Sequence, residues 1–144
     1  LTSPEYIKDL SKEMSSTRRE LNKKFNKVVP IFLKLSPDEK DENIQDIVDA
    51  TLSNGFDGYI ISNTTKGEFG GICGGISGEL LKQKSNEILK KVSNLVGEDA
   101  TLIASGGISS KRDVEERLNN GASLIQIYTS FVYKGPFILE ELLI

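Results

Sequence analysis

Short runs of apolar and β-branched residues recur along the chain, and they are close to continuous rather than alternating with polar positions. Continuous runs of this length are typical of parallel strands that are buried on both faces of a sheet. The pattern therefore predicts strands at residues 28–35, 58–62, 101–104 and 123–128.

Helical patterns precede and separate these runs. Apolar residues recur three and four positions apart, which places them on one face of a helix. Gly55, Gly97 and Gly121 directly follow three of the patterns, and glycine is favoured just past the end of a helix. The predicted helices cover residues 4–25 (with a candidate break at Ser15-Ser16), 41–54, 85–96 and 110–120, and a further apolar helix is predicted within residues 137–144.

Strands that alternate with helices predict an α/β fold built from consecutive βα units. Such units form either a doubly wound sheet or part of a (β/α)8 barrel, the TIM barrel. A doubly wound dinucleotide-binding sheet carries a glycine-rich fingerprint after its first strand, but Leu35-Ser36-Pro37-Asp38 follows it here. Polar residues at the carboxyl ends of successive strands are typical of a barrel, so we favour the barrel.

Chain length limits how much of a barrel can be present. A complete barrel needs about 200 residues or more, and the chain has 144. We therefore expect residues 1–144 to form the C-terminal half of a single barrel domain, about strands 5–8, incomplete at both ends. The outer edges of the runs at residues 28–35 and 123–128 would then lack a partner strand.

Composition excludes several classes of function. Net charge is −3, with 38% hydrophobic and 27% charged residues, so the chain as a whole does not attract nucleic acid or an anionic membrane. No run reaches the about 20 apolar residues of a membrane helix, and no signal peptide is visible. One basic cluster is interpreted as the solvated face of the first helix. Its members are Arg18, Arg19, Lys23, Lys24 and Lys27.

Cys73 is the single cysteine, and the sequence has no histidine. A disulfide framework, a zinc site and any Ser-His or Cys-His catalytic pair are therefore excluded within this chain, and no metal site is expected. Cys73 has no basic or cationic partner nearby in the sequence, so it is interpreted as structural or incidental.

Lys34 lies inside the first predicted strand. A charge in an apolar strand is costly unless it faces a site or a counter-charge, although a lysine near a strand end can also extend its ammonium group to water. We favour an ammonium group that points into the mouth of the barrel, toward an anionic cofactor.

Ser62-Asn63-Thr64-Thr65 ends the second predicted strand. These residues suit a turn, but an asparagine also offers a donor and an acceptor at once, as a ring amide or a carboxylate requires. The glycine-rich residues 70–78 follow. They are interpreted as a loop whose backbone approaches a ligand closely, with a mobile loop tip as the alternative.

Gly106-Gly107 come just after the third predicted strand, and Tyr128-Thr129 stand at the end of the fourth. In barrels the loops after strands 7 and 8 frequently bind phosphate through backbone N–H groups. Such a site needs no charged side chain, which suits a region poor in lysine and arginine.

With these residues in place, the chain closely resembles the dihydroorotate dehydrogenases, and among them the quinone-linked class 2 enzymes. The resemblance covers about residues 27–136 and rests on five motifs in order. They are Pro30-Ile31-Phe32-Leu33-Lys34-Leu35-Ser36-Pro37-Asp38, Ser62-Asn63-Thr64-Thr65, Gly74-Gly75-Ile76-Ser77-Gly78, Ala104-Ser105-Gly106-Gly107-Ile108 and Gln126-Ile127-Tyr128-Thr129.

The resemblance implies an FMN-dependent barrel that oxidises dihydroorotate to orotate in pyrimidine (UMP) synthesis and passes the electrons to quinone. It implies that Lys34 contacts the flavin near its N1–C2 edge, and that Asn63 and Thr64 bind the substrate. The remaining cofactor-binding residues that it implies are Ser62, Ser77, Gly78, Gly106, Gly107, Tyr128 and Thr129.

By the same resemblance, the catalytic base serine and the segment that meets the membrane and quinone lie upstream of Leu1. The complete protein would then be peripheral to the inner membrane, and this chain alone is expected to be inactive. Two alternatives stay open. One is another flavin- or phosphate-binding barrel reductase of the dihydropyrimidine or dihydrouridine type, and the other is a non-catalytic half-barrel module.

Overall fold

The computed structural model describes residues 3–143. The helices are α1 (Pro4–Phe25), α2 (Asp41–Ser53), α3 (Lys82–Val96), α4 (Lys111–Asn119), α5 (Thr129–Lys134) and α6 (Ile138–Leu142). The strands are β1 (Phe32–Leu35), β2 (Gly58–Ile61), β3 (Thr65–Phe69), β4 (Ile72–Ile76), β5 (Thr101–Ser105) and β6 (Leu124–Gln126), and a 3₁₀ turn spans Gly78–Leu81. The predicted α/β alternation is confirmed; β3, β4, α5 and the 3₁₀ turn were not predicted, and Ile144 lies outside the described residues.

The main sheet is parallel, and its strands lie in the order β1-β2-β5-β6. Lys34 is opposite Ile60, Ile60 is opposite Ile103, and Ile103 is opposite Leu124. The order follows the chain without the reversal that a doubly wound sheet has at its switch point. The sheet is therefore an arc of a barrel, with β1 and β6 at its two edges.

The two faces of the sheet differ sharply. Leu35, Tyr59 and Leu102 point to one face, where they are at most 4% exposed and pack against helices α2, α3 and α4. Lys34 and Leu124 lie on the other face and are exposed. Since side chains alternate between the faces of a strand, one face holds the core and the other remains open, as the interior face of a partial barrel would.

Helix α1 is continuous, so the predicted break at Ser15-Ser16 is wrong. Ser15 is buried and its hydroxyl donates to the carbonyl of Asn54, at the end of α2. The Asn54 amide donates in turn to Oγ of the buried Ser11 at 2.9 Å. Small hydroxyl side chains let α1 approach α2 closely, and here they stabilise the contact rather than interrupt the helix.

Arg18 also differs from its predicted role on a solvated face. Its guanidinium donates to the Asp57 carboxylate at 2.5 Å and to the Gly55 carbonyl at 2.6 Å. These bonds tie α1 to the turn that precedes β2. The other members of the basic cluster are exposed, as predicted: Arg19, Lys23, Lys24 and Lys27.

Strands β3 and β4 form an antiparallel hairpin where the sequence indicated a loop. Gly70 and Gly71 make its two-residue turn with φ of 61° and 79°. A hairpin turn with positive φ at both central positions favours glycine there. These two glycines are thus used for the turn and do not line the cavity described below.

Candidate functional site

A cavity of about 430 Å³ opens at the carboxyl ends of the parallel strands. The strand ends, the 3₁₀ turn and the start of α5 form its walls. It brings together every site residue predicted from the sequence. They are Lys34, Ser62, Asn63, Thr64, Ser77, Gly78, Gly106, Gly107, Tyr128 and Thr129.

Two sets of backbone N–H groups at this cavity are available to a ligand. The N–H groups of Gly106, Gly107 and Ile108 have no acceptor within residues 3–143, and neither do those from Tyr128 to Ser130. Backbone N–H groups that are left without a partner near a protein surface bind water or an anionic ligand. The cavity is therefore suited to an anion such as a phosphate group.

Gly106 and Gly107 are required as glycines. Their φ angles are 103° and 70°, which residues with a Cβ rarely adopt. A Cβ on Gly107 would also meet the backbone of Lys82, with the Lys82 nitrogen only 2.7 Å away. The loop thus passes so close to the start of α3 that no side chain fits between them.

Asp113 holds the next part of this loop in place. Its carboxylate accepts hydrogen bonds from the backbone N–H groups of Ser109 and Ser110, both at 3.0 Å. It also forms an ion pair with the ammonium group of Lys82 at 2.6 Å. Burial alone would raise the pKa of Asp113, but the bonds from Lys82, Ser109 and Ser110 outweigh it and lower the pKa to about 2. The carboxylate stays ionised and bridges α3 to the start of α4.

Asp113→Asn is expected to lower the free energy of unfolding at pH 7 by about 2 kcal/mol. The folded-state pKa of Asp113 lies below the ordinary 3.8, so its stabilisation is complete above that value and is lost as the pH falls toward 2. Urea unfolding at pH 7 and pH 2 measures it. Asp46→Asn, at an exposed position of α2, is the control. If Asp113→Asn lowered the free energy of unfolding equally at both pH values, this account would be contradicted.

Backbone hydrogen bonds hold the residues after β2 in place. The side chain of Asn63 takes no part in these bonds and is exposed at the cavity. The Asn63 N–H donates to the Leu35 carbonyl at 2.9 Å, and the Ser62 N–H donates to the Ser105 carbonyl at 2.8 Å. Asn63 Oδ1 accepts from the Thr64 N–H at 2.9 Å. Asn63 Nδ2 donates to no group in the described part of the chain and remains available to a ligand.

Lys34 lies on the open face of the sheet and lines the cavity. No carboxylate within residues 3–143 forms an ion pair with its ammonium group. Its neighbours across the sheet, Ile60 and Ile103, are apolar and half-buried. A lone cation in an apolar row is consistent with a role toward a ligand.

Asp38, just after β1, holds the β3–β4 hairpin at the cavity. It accepts from the Thr65 hydroxyl at 2.5 Å and from the Lys66 N–H at 2.8 Å, and it pairs with Lys84. Partial burial raises the pKa of Asp38, but these three partners lower it to about 2. The base of the hairpin is thus fixed to β1 and α3.

Some cavity residues were missed from the sequence. Ser130 donates to the Ile108 carbonyl at 2.7 Å, and Lys134 donates to the Glu141 carboxylate at 2.6 Å. A hydroxyl or lysine side chain in a helix as short as α5 carries no distinguishing signal in a single sequence. In residues 3–143 no group of three or more potential ligands could hold a metal ion, and no helix is long and apolar enough to cross a membrane.

Comparison with known proteins gives a consistent result. Residues 2–143 match the family model of dihydroorotate dehydrogenase. A dihydroorotate dehydrogenase (quinone) of Shewanella woodyi is 38% identical over 95% of this chain, and one of Arthrobacter sp. is 38% identical over 91%. The chain covers 42% and 40% of these proteins, so it spans less than half the length of the curated relatives it matches.

Solved structures show the same relationship. The structure of a DHODH from Eimeria tenella in complex with ferulenol superposes on 99% of this chain with a TM-score of 0.90 and 28% sequence identity. A ligand-free structure from the same organism covers 77% of the chain with a TM-score of 0.72. This chain covers 43% and 33% of those two chains.

Proposed function

The chain belongs to the dihydroorotate dehydrogenase family, and on that premise we propose that the polypeptide carrying it oxidises dihydroorotate to orotate in pyrimidine synthesis. FMN is the proposed cofactor, and a quinone is the proposed electron acceptor. We further propose that residues 1–144 are the C-terminal half of one FMN-binding barrel domain. The other half would supply the catalytic base, the quinone site and the contact with the inner membrane.

This proposal rests on one observation: two groups of backbone N–H donors without an acceptor in the described residues lie at the same cavity. They run from Gly106 to Ile108 and from Tyr128 to Ser130. A phosphate group has enough acceptor oxygens to bind several such donors. The donors therefore fit the phosphate of FMN. Gly107 lets the loop lie directly against Lys82, which holds these N–H groups at the cavity.

Bound FMN would supply the redox chemistry, accepting two electrons from dihydroorotate as a hydride and releasing them to the quinone. The residues of this chain would bind the flavin and the substrate and orient them toward each other. Lys34 places a fixed positive charge at the cavity, where it favours negative charge on the flavin ring. Asn63 and Thr64 hold the pyrimidine or its carboxylate through hydrogen bonds. Ser62, Ser77 and Gly78 line the remaining part of the flavin site.

An anaerobic visible absorption spectrum of the complete polypeptide, with and without dihydroorotate, tests the proposal. We expect a flavin band that bleaches when dihydroorotate is added, because the substrate reduces the flavin in this half-reaction. Residues 1–144 alone are expected to give no dihydroorotate oxidation, since they would lack the base and half of the barrel.

Other outcomes assign the chain differently. A flavin band that bleaches with a dihydropyrimidine but not with dihydroorotate would keep the barrel and replace the substrate. A folded protein without flavin would favour a non-catalytic module.

A further inference from the structure

Arg117, on α4, is one of the most deeply buried side chains of the described structure, with 1% exposure. It lies behind the loop of Gly106 and Gly107, not in the cavity wall. A charged side chain is buried at considerable cost unless its hydrogen bonds and charge are compensated. Its position therefore requires an explanation that packing alone does not give.

The guanidinium binds three acceptors with a single nitrogen. Nη2 donates to the Lys82 carbonyl at 2.8 Å, to Ser85 Oγ at 2.8 Å and to the Gly106 carbonyl at 3.1 Å. Ser85 Oγ also donates to the Gly106 carbonyl, at 2.9 Å. The carbonyl oxygen of Gly106 is thus fixed on the interior side of the loop by two donors.

The direction of the next N–H group follows from the geometry of the peptide bond. The carbonyl of Gly106 and the N–H of Gly107 belong to one planar unit, and in a trans peptide they point in opposite directions. Because Arg117 and Ser85 hold the carbonyl toward the interior, the Gly107 N–H points away from them. Gly107 lines the cavity, and this N–H has no acceptor in the described residues.

The charge of Arg117 is only partly compensated. No carboxylate in residues 3–143 lies within ion-pair distance of it, and Nη1 has no hydrogen-bond partner there. Burial lowers the pKa of Arg117, and the more distant carboxylates of Glu116 and Asp113 offset this only in part. A buried cation whose charge is only partly compensated favours the binding of an anion on the other side of the peptide group to which it donates.

We propose that Arg117 is a positioning residue for the cofactor phosphate. It fixes the Gly106–Gly107 peptide with its N–H toward the cavity, and it adds positive potential beneath the bound anion. This inference rests on the proposed function, because it concerns the same FMN site.

The test compares FMN with riboflavin, which has the same ring and ribityl chain but no phosphate. Dissociation constants are measured by flavin fluorescence on the complete polypeptide freed of cofactor. In Arg117→Met we expect the constant for FMN to rise about tenfold or more, while that for riboflavin changes by less than about twofold. Arg117→Lys keeps the charge and is expected to retain most of the preference for FMN. Arg112→Met, at an exposed position of the same helix, is the matched control.

The outcomes separate this inference from the proposed function. If Arg117→Met weakens both flavins equally, or neither, then Arg117 is only structural and the inference is wrong. If the wild-type protein shows no preference for FMN over riboflavin, the phosphate site itself is wrong. Should Arg117→Met fail to fold, Arg117→Gln keeps an amide donor without the charge, and the same loss of preference for FMN is expected.

Discussion

Gly107→Ala is expected to weaken FMN binding by about a hundredfold or more and to lower the free energy of unfolding by about 3 kcal/mol. Two effects add at this position. The φ of 70° is unfavourable for alanine, and the new Cβ would collide with the backbone of Lys82. The loop must move to relieve the collision. Its N–H groups would then lose their alignment with the phosphate, where each bond to a charged acceptor contributes about 1.5–3 kcal/mol.

Gly71→Ala is a matched control for this variant. Gly71 has a similar φ of 79°, but a Cβ there has no atom within 4 Å. It therefore carries the conformational cost without the collision, about 1 kcal/mol, and leaves FMN affinity unchanged. Denaturant unfolding and flavin fluorescence measure the two quantities. If Gly107→Ala and Gly71→Ala behaved alike, the close approach to Lys82 would not matter for the site.

Lys34→Met is expected to lower kcat by about 10²–10³-fold with little change in stability. Lys34 makes no ion pair in the described structure and is exposed, so its removal leaves no buried partner unsatisfied. The expected loss arises because a fixed positive charge no longer stabilises negative charge that develops on the flavin ring. Steady-state kinetics of the complete polypeptide with dihydroorotate measure kcat, and thermal unfolding measures stability.

Lys90→Met, at an exposed position of α3 that does not line the cavity, removes an equal charge. It is expected to leave kcat unchanged. A Lys34→Met protein that keeps kcat within about threefold of the wild-type value would show that the ammonium group has no role in the reaction.

The sequence predicted the parallel strands, and the strand ends where the candidate site residues lie, because both depend on strong local signals. Apolar runs marked the buried strands, and the carboxyl ends of parallel strands necessarily meet at one edge of a sheet. Asn63, Gly107 and Thr129 are far apart in the sequence, yet each follows such a strand end. Their presence at one cavity therefore follows from the fold class alone.

The β3–β4 hairpin could not be predicted in the same way. Its strands carry glycine and charged residues, and Glu68, Cys73 and Gly74 are exposed. A strand pattern arises from burial of one face or both, and this hairpin buries little. Only Gly70-Gly71 indicated a turn, and the same dipeptide also fitted a ligand-binding loop.

For a related reason, no signal in the sequence marked Arg117, and Ser15 was misinterpreted as part of a helix break. An arginine in a helical pattern ordinarily lies on the solvated face, and a pair of serines ordinarily weakens a helix. Arg117 is buried because carbonyl groups from two other elements converge on it. Ser15 lies within a continuous helix, and its hydroxyl is bonded to Asn54. Such long-range partners leave no trace in the local pattern.

A crystal structure of the complete polypeptide with FMN tests the central claim most directly. We predict the phosphate within hydrogen-bond distance of the N–H groups of Gly107 and Thr129, with the flavin ring beside Lys34. A flavin bound elsewhere, or a phosphate held by side chains while these N–H groups bind only water, would contradict the account.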